Sequence, residues 1–387
     1  MLGREVVIVE AVRTPVGRGH REKGVYRDVH PNELLGRTYE EVIRRAGLEP
    51  SAVEDVLAGC VQQYGEQSFN IGRNAWLQAG LPYETPATTI DRQCGSAQQA
   101  VNFAASQIAS GIHDVVIGSG VEHMGRIPMF IGRKFVEDVG TPYPPELYDH
   151  YALVDQGLSA EMIADRWDLS RARLDEIAAR SHQRAARATS EGRFERELVR
   201  VETPDGPVAV DQGIRADTTV DTLAELKPAF KEDGKLTAGN SSQISDGAAA
   251  ILLASREKAD ALGLRPRARV VDHTTVGVDP VIMLTGPIPA TRKILDRNGM
   301  TIDDIDLIEV NEAFASVVGA WEDELHPDTE HVNANGGAIA LGHPLGSTGA
   351  RLLTTLLHEL ERSDKEIGLV TMCCGGGLGT ATLIQRV

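Results

Sequence analysis

The sequence carries no excess of positive charge and few aromatic residues. Lysine and arginine number 39 against 56 aspartates and glutamates, the formal net charge is −17, and aromatic residues are 4% of the 387. A chain this acidic is a poor candidate for binding nucleic acid or an anionic membrane, whose phosphates need a positive surface. Only eight of the basic residues are lysines, which fits either a salt-adapted organism or a GC-rich genome.

Cysteines and long apolar runs are also scarce. The four cysteines, Cys60, Cys94, Cys373 and Cys374, include no C-x-x-C pair, so the sequence indicates neither a zinc site nor a thioredoxin-like motif. No apolar run reaches the roughly 18 residues that a membrane span needs, and the first residues indicate a strand rather than a signal peptide. We therefore expect a cytoplasmic protein with reduced thiols, no membrane association and no metal.

Strand and helix signals alternate through the first 120 residues and return after residue 248. Pro31–Ala46 has the apolar spacing of a helix that stops at Gly47, and residues 56–61, Ala87–Ile90 and 115–117 read as buried strands. Such alternation predicts an α/β fold with a mostly parallel sheet. Residues 123–244 break the rhythm with clustered prolines and a long amphipathic region at 159–194, which predicts an inserted, partly helical subdomain.

Two segments of the chain share one pattern. Residues 87–120 and 332–375 each read as strand, loop, helix and strand, and both end in small residues. An internal duplication explains this likeness, but any two βαβ units also resemble each other. The sequence leaves both explanations open.

Cys94 lies between a strand signal and a helical pattern that runs to Ser110. A thiol at a helix N-terminus is close to the positive end of the helix dipole and to free backbone amides. Both favour the thiolate, the form that attacks carbonyl carbons. A lone cysteine is also often buried and inert. Position alone leaves the two interpretations open.

Glycines surround a histidine near the C-terminus. Residues 336–346 contain His343, which Pro344 follows, and three glycines fall within the seven residues 336–342. Glycine lets the backbone approach a substrate closely, and imidazole exchanges protons near neutral pH. A histidine of the core would not need so many glycines, so we interpret this loop as functional.

Two further loops carry polar groups at strand ends. Three glycines, beginning at Gly375, follow Cys373 and Cys374, and their exposed amides can form an oxyanion hole. A phosphate-binding loop is the alternative, but no Gly-Lys-Ser/Thr triplet follows. Asn311 comes directly after another strand signal, where ligands of α/β proteins usually bind.

Taken together, these motifs resemble the thiolases, which comprise acetyl-CoA acetyltransferases and 3-ketoacyl-CoA thiolases. The likeness covers essentially the whole chain. The matching segments, in the order of the family, are residues 9–17, 94–96, 237–242, 245–249, 311–314, 342–344 and 373–377. One such segment would be modest evidence, whereas six motifs in order, with 237–242 and 245–249 counted as one, are specific.

The resemblance implies a thiolase-like fold of α/β class, with five αβαβα layers and two similar domains. A loop domain is inserted into the first of them. The implied limits are 1–122 and 245–266 for the N-terminal domain, 123–244 for the loop domain and 267–387 for the C-terminal domain. Homodimers or homotetramers are the implied assemblies.

The resemblance also implies catalytic roles. Cys94 would be the nucleophile that carries the acyl group, and His343 would activate it. Cys373 would be the general acid and base, with Cys374 at a variable position. Two oxyanion holes are implied: the amides of Cys94 and Gly375 would form one, and His343 with a water held by Asn311 would form the other.

Coenzyme A thioesters are the implied substrates, and no permanently bound cofactor is implied. Arg215 would bind the phosphate end of coenzyme A. The full set of coenzyme A contacts implied by the resemblance is Arg215, Thr222, Phe230, Ala238, Ser242, Ala313 and Phe314.

One departure from the family pattern affects the expected substrate. Residues 155–157 read Asp-Gln-Gly where small-substrate thiolases have His-Met-Gly. The loss of that bulky pair favours substrates larger than acetoacetyl-CoA, including branched or ring-bearing ones. We therefore predict a 3-ketoacyl-CoA thiolase, which cleaves 3-ketoacyl-CoA to acetyl-CoA and a shortened acyl-CoA or runs the reverse condensation.

Several alternatives remain. The chain could be an acetoacetyl-CoA-specific acetyltransferase or a catalytically silent scaffold of the same fold. Condensing enzymes of that fold have histidine in place of Asn311 or lack the second cysteine. A papain-type protease is disfavoured because Ala97 and Gln98 replace the second cysteine and the aromatic residue of its signature. A dinucleotide-binding G-x-G-x-x-G is disfavoured because His123 occupies its sixth position.

Overall fold

A computed structural model describes residues 3–387 of the chain. The strands are β1 (Val6–Arg13), β2 (Gly17–Arg18), β3 (Asp55–Gly59), β4 (Ala87–Ile90), β5 (Val115–His123), β6 (Val201–Thr203), β7 (Gly206–Val208), β8 (Ser245–Ser255), β9 (Ala268–Gly277), β10 (Leu307–Val310), β11 (Ile367–Cys374) and β12 (Leu378–Arg386). The helices are α1 (Pro31–Ala46), α2 (Ile71–Gln78), α3 (Ser96–Ala109), α4 (Val136–Val139), α5 (Pro145–His150), α6 (Gln156–Arg166), α7 (Arg171–Ser190), α8 (Val220–Ala224), α9 (Arg256–Ala261), α10 (Pro287–Asn298), α11 (Ala315–Leu325), α12 (Ala338–Leu341) and α13 (Thr348–Arg362).

The central sheet contains the same strand order twice. In the first half the order is β1-β8-β5-β3-β4, and in the second half it is β9-β12-β11-β10. A bridge between Ile308 and Val332 adds the counterpart of β4 beside β10. The two halves join through a short antiparallel contact of β1 with β9. This repeated topology supports duplication as the reason why residues 87–120 and 332–375 look alike.

The sheet is mixed rather than mostly parallel as the sequence pattern predicted. Strands β3, β4 and β5 pair in parallel, as do β10 and β11. The strands β1, β8, β9 and β12 pair antiparallel with their neighbours. The pattern of apolar runs did not separate the two cases, because an antiparallel strand covered on both faces is as continuously apolar as a parallel one.

Alternating side chains of each half-sheet pack into different helical layers. Helices α1 and α2 cover the outer face of the first half, where Val7 and Ile117 lie. Helices α3 and α13 fill the middle layer, against Ile8 of the first half and Val370 of the second. Helices α10 and α11 cover the outer face of the second half at Leu369. The expected five-layered, duplicated α/β fold is therefore confirmed.

Local sequence signals vary in how well they locate elements. Helix α1 spans the predicted residues and ends at Gly47, which adopts the left-handed φ of 66°. Strand β4 was expected to be buried, but it lies at the sheet edge and is half-exposed. The long amphipathic region at 159–194 forms two helices, because Asp168 turns back with a φ of 48° and Ser170 caps α7.

The segment between β5 and β8 contains α4 to α8 and the β6–β7 ribbon. Because β5 and β8 pair with each other, the two ends of this inserted segment lie close together. A buried guanidinium attaches it to the first half. Arg13, at the end of β1, donates from Nε to Glu197 at 2.5 Å and from two nitrogens to Asp211 at 2.7 and 2.9 Å. The domain limits at 122/123, 244/245 and 266/267 stay a prediction. Within residues 3–387, none of the helices has the length and apolarity to cross a bilayer.

Glycines in β3 and β5 let helix α3 lie very close to the sheet. A Cβ atom at Gly118 would be 2.6 Å from Cα of Val101, and one at Gly120 would be 2.8 Å from Cβ of Ala97 and closer still to the carbonyl oxygen of Gly346. Side chains here would push α3 and the Gly346 loop away from the strands. The positions of helix α3 and of the loop that contains Gly346 therefore depend on these glycines.

Substitution of Gly118 by alanine tests this dependence. We expect Gly118→Ala to lower the free energy of unfolding by about 1–3 kcal/mol, since the added methyl meets backbone rather than a movable side chain. The matched control is Gly277→Ala, where a Cβ meets no atom within 4 Å. Urea unfolding at one fixed protein concentration measures both variants. Equal stabilities of the two variants would contradict close packing at α3.

Candidate active site

A cavity of about 730 Å³ lies where the two halves and the inserted segment meet. This volume is typical of a small-molecule site. Eight residues predicted from the sequence line it, namely Cys94, Arg215, Phe230, Ala238, Ser242, Ala313, Phe314 and His343. Asn311, Cys373 and Gly375 are not part of the lining, but each is next to a residue that is: His343, Phe314 and Gln156, respectively. Thr222 is also outside the lining.

Cys94 sits on a sharp turn before helix α3. Gln93 adopts a left-handed φ of 50°, and its amide donates to the Asp91 carboxylate at 2.6 Å. The hydroxyl of Ser96 accepts from the amide of Arg92 at 2.9 Å and closes the turn. These bonds present the thiol at the N-terminus of α3, as the sequence predicted.

Two opposing effects act on the ionisation of Cys94. Burial raises the pKa of its thiol to about 11, and this outweighs the amides of Gly375 and Cys94, which point at the sulfur and lower it. Loss of hydration at the buried sulfur therefore exceeds the stabilisation of the thiolate by the helix N-terminus. At neutral pH the thiol is protonated and needs a base when it attacks.

His343 has the properties of that base. Its Nδ1 is 2.7 Å from Oγ1 of Thr348, and the Thr348 hydroxyl donates to the carbonyl oxygen of Pro344 at 2.8 Å. Oγ1 therefore accepts from Nδ1–H, which leaves Nε2 without a proton. Burial, with the positive charge of Arg351, lowers the pKa of His343 to about 3, so the imidazole is neutral.

Asn311 stands beside the free nitrogen of that imidazole. It follows β10, its amide nitrogen Nδ2 lies 3.3 Å from Nε2 of His343, and its backbone N–H donates to the carbonyl of Thr371. The side-chain oxygen Oδ1 is buried and has no hydrogen-bond partner within residues 3–387. In this state both Oδ1 of Asn311 and Nε2 of His343 are acceptors that can bind a water, and Nε2 becomes a donor for an oxyanion once it is protonated.

Buried polar groups hold the histidine loop. The backbone N–H of His343 donates to the Ser245 hydroxyl at 3.1 Å, and the N–H of Gly346 donates to the carboxylate of Glu122 at 2.9 Å. Gly342 takes a φ of 111°, which only glycine adopts readily. Strands β5 and β8 of the first half therefore position a loop that belongs to the second half.

The adjacent thiols of β11 point to opposite faces. Cys373 belongs to the apolar cluster of Leu284, Ala313 and Phe314, which line the cavity. Cys374 faces helix α3, where a Cβ on Gly95 would lie 2.6 Å from its sulfur. Burial raises the pKa of both thiols, and the charge of an ionised Cys94 raises both further. Both are protonated at neutral pH, and Cys373 packs among the lining residues that the second half contributes.

The expected coenzyme A contacts divide into two groups. The rings of Phe230 and Phe314 meet edge to face with centroids 5.6 Å apart, and Ser242 donates its amide to the carbonyl of Ala313. Arg215 is exposed at the cavity. By contrast, Thr222 uses its hydroxyl to cap helix α8, where it donates to the carbonyl of Thr219 at 2.9 Å.

Several lining residues were missed from the sequence. They are Arg18, His20, Met124, Met129, Phe130, Arg133, Ile244, Leu284 and Leu345. Arg18 directly follows the matched segment 9–17 and Ile244 falls between two matched segments, so proximity to motifs was a usable signal for them. The methionines lie outside every motif and gave no signal. Gln156, flagged as a departure, lines the cavity and reaches Gly375, where a Cβ would be 2.8 Å from its Nε2.

Comparison with known proteins agrees with this geometry. The family models for the N-terminal and C-terminal domains of thiolase match residues 6–257 and 264–386. This chain belongs to the thiolase family. Thiolases are acyltransferases, so the recognition from sequence motifs and the predicted enzyme class are confirmed.

Individual relatives of this thiolase span its full length. It is 47% identical to the steroid 3-ketoacyl-CoA thiolase FadA6 of Mycobacterium tuberculosis, over 99% of this chain and 94% of that protein. It is 46% identical to a 3-ketoacyl-CoA thiolase of Aeromonas salmonicida, over 99% and 100%. The crystal structure of the Bacillus anthracis acetyl-CoA acetyltransferase superposes with a TM-score of 0.91 at 38% identity and covers 100% of both chains.

The raised pKa of Cys94 predicts how the thiolase reacts with an alkylating reagent. Below a pKa of about 11, the thiolate fraction rises about tenfold for each pH unit. The rate of inactivation by iodoacetamide should therefore keep rising between about pH 6 and 9 without a plateau. Peptide mass spectrometry at each pH confirms that Cys94 is the labelled site. A plateau near neutral pH would show a preformed thiolate and contradict the assignment of a neutral resting pair.

Proposed function

We propose that this thiolase cleaves 3-ketoacyl-CoA with coenzyme A, giving acetyl-CoA and a shortened acyl-CoA, and catalyses the reverse condensation. The observation that carries the proposal is the buried Cys94 thiol, at which the amides of Gly375 and Cys94 point. It shares a cavity with the neutral His343. The names of the curated relatives support the same reaction.

In the first half of the proposed reaction, Nε2 of His343 takes the proton of Cys94 as the sulfur attacks the 3-keto carbon. The resulting oxyanion lies against the amides of Cys94 and Gly375. The bond between C2 and C3 then breaks, which leaves an acyl thioester on Cys94 and the enolate of acetyl-CoA. The enolate oxygen is held by the new Nε2–H of His343 and by a water on Asn311.

In the second half, protons move through the other thiol. Cys373 donates its proton to C2 of the enolate and releases acetyl-CoA. The Cys373 thiolate then removes the thiol proton of an incoming coenzyme A, whose sulfur attacks the acyl thioester. The bond to the Cys94 sulfur breaks, and His343 returns its proton to that sulfur. Its raised pKa suits Cys373 to this role, since a weakly acidic thiol gives a strong base once it is ionised.

Arg215, Phe230, Ala238, Ser242, Ala313 and Phe314 form the proposed coenzyme A surface, with Thr222 at its outer edge. Arg215 supplies a cation for phosphate in a chain of net charge −17. Acyl groups longer than acetoacetyl would occupy the apolar part of the cavity, lined by Met124 and Met129. The steroid substrate in the name of one relative favours branched or ring-bearing acyl groups here as well.

We also propose that the enzyme is a cytoplasmic homodimer or homotetramer. Its cysteines are all free and buried, which fits a reducing compartment. Among residues 3–387 the edge strand β4 pairs only with β3, which leaves its other side open for a second copy.

A substrate series tests the reaction and the size of the acyl group. We expect kcat/KM for thiolysis to rise from acetoacetyl-CoA to a six-carbon or longer 3-ketoacyl-CoA. Each methylene buried should contribute about 0.8 kcal/mol, nearly fourfold in kcat/KM, until the cavity ends. The rates are measured by quantifying the acetyl-CoA formed over time with liquid chromatography. A flat or falling series would indicate an acetoacetyl-CoA acetyltransferase, and no turnover at all would indicate a silent scaffold.

The two thiols of β11 provide a matched pair for testing the proton carrier. We expect Cys373→Ala to lower kcat by about two to four powers of ten, while Cys94 still becomes acylated from acyl-CoA. Cys374→Ala removes the neighbouring thiol on the opposite face and should retain most activity. Steady-state thiolysis and peptide mass spectrometry of the acylated enzyme measure the two effects. If Cys374→Ala were the inactive variant, the assignment of Cys373 would be wrong.

A further inference from the structure

Three arginines line the catalytic cavity, and one of them has no assigned use. Arg133 donates to Asp155 at 2.8 Å and lies over the ring of Phe130, 4.4 Å from its centroid. Arg215 is proposed to bind the phosphates of coenzyme A. The guanidinium of Arg18 makes no hydrogen bond or ion pair with any group of residues 3–387. Arg18 is half-buried and lines the cavity, so its guanidinium can receive an anionic group of a ligand.

The location of Arg18 is close to the reacting groups. Strand β2 pairs with β8 so that Arg18 is opposite Ser245. The Ser245 hydroxyl accepts from the backbone N–H of His343. Arg18 therefore pairs directly with Ser245, the residue whose side chain binds the backbone of His343. Its own backbone N–H is fixed by the side chain of Gln212 at 2.8 Å.

An apolar passage connects Cys94 with this arginine. Met124 and Leu345 pack in the same cluster as Cys94, with Met129 against it. Met124 also lies against β8, where its sulfur is 3.5 Å from the amide nitrogen of Ser245, the partner of Arg18. An acyl chain attached to Cys94 would thus run past apolar side chains toward Arg18.

A neighbouring histidine adds a second donor at this end. His20 lines the cavity, and its Nδ1 accepts the backbone amides of Glu22 and Lys23 at 3.1 and 3.2 Å. The proton of the neutral ring is therefore on Nε2, which is free to donate. A cation and a neutral donor at the end of an apolar passage match a group that is anionic and accepts hydrogen bonds.

We propose that Arg18 binds a carboxylate at the far end of the acyl chain, so that the preferred substrates are 3-ketoacyl-CoA thioesters of dicarboxylic acids. The inference rests on the proposed thiolase reaction and adds the chemical class of its substrate. A guanidinium binds a carboxylate through two parallel hydrogen bonds, which gives orientation as well as affinity. The phosphates of coenzyme A are a weaker match, because the pantetheine arm separates them from the thioester, whereas Arg18 is beside the strand that holds His343.

The test compares two substrates of equal chain length, a 3-ketoacyl-CoA that ends in a carboxylate and one that ends in a methyl group. The wild-type enzyme should prefer the carboxylate in kcat/KM. Arg18→Gln should reduce that preference by about 10- to 100-fold, the range of a charged hydrogen bond, and Arg18→Lys should restore part of it. Arg21→Gln, an exposed arginine on the same loop and outside the cavity lining, should leave the preference unchanged.

The ratio of kcat/KM for the carboxylate-ended substrate to that for the methyl-ended substrate distinguishes the possible results. If Arg18→Gln lowers kcat/KM equally for both, the arginine binds a feature that they share, such as the nucleotide phosphates, and the proposal is overturned. Repetition with pantetheine thioesters, which lack those phosphates, identifies that case because the loss then disappears. A wild-type enzyme that cleaves the methyl-ended substrate but does not prefer the carboxylate also overturns the proposal, while leaving the thiolase reaction intact. Cleavage of neither substrate would instead contradict the proposed reaction.

Discussion

The buried carboxylate of Glu122 joins the catalytic loops of the two halves. It lies at the end of β5 and accepts backbone amides from Val61, Gln62 and Gly346 at 2.9 to 3.0 Å, together with the side-chain amide of Gln67 at 2.8 Å. Four donors offset the cost of burying this group. Because Gly346 belongs to the loop of His343, the position of the proposed base in the second half is set by a carboxylate of the first.

The duplicated fold places different chemistry at equivalent positions. Helices α3 and α13 are counterparts in the middle layer, and Cys94 precedes one while His343 precedes the other. Strands β5 and β11 are counterparts too, and Glu122 and Cys373 are their last residues but one. Neither half contains a complete site. The reaction depends on how tightly the halves pack, which is why glycines occupy the contacts between them.

Burial decides the ionic state of the reacting groups. A thiol at a helix N-terminus and a histidine beside it could form an ion pair, but both are enclosed by apolar side chains and both remain neutral. A neutral pair needs no hydration to stabilise it. In the proposed reaction, negative charge develops on the substrate oxygen, where the amides near Cys94 can stabilise it. The same enclosure raises the pKa of Cys373 and keeps it protonated, as its proposed role as proton donor requires.

Sequence alone determined the family, the order of the elements and the chemical groups, because motifs such as Cys94-Gly-Ser and Gly-His343-Pro are local and the strand and helix periods are strong. It did not determine which strand lies at an edge, how Cys373 and Cys374 divide between two faces, or that Arg18 lines the cavity. Those properties arise from contacts between distant segments. The pKa of Cys94 was also beyond local reasoning, since the helix dipole acts through neighbouring residues but desolvation depends on every element packed around the sulfur.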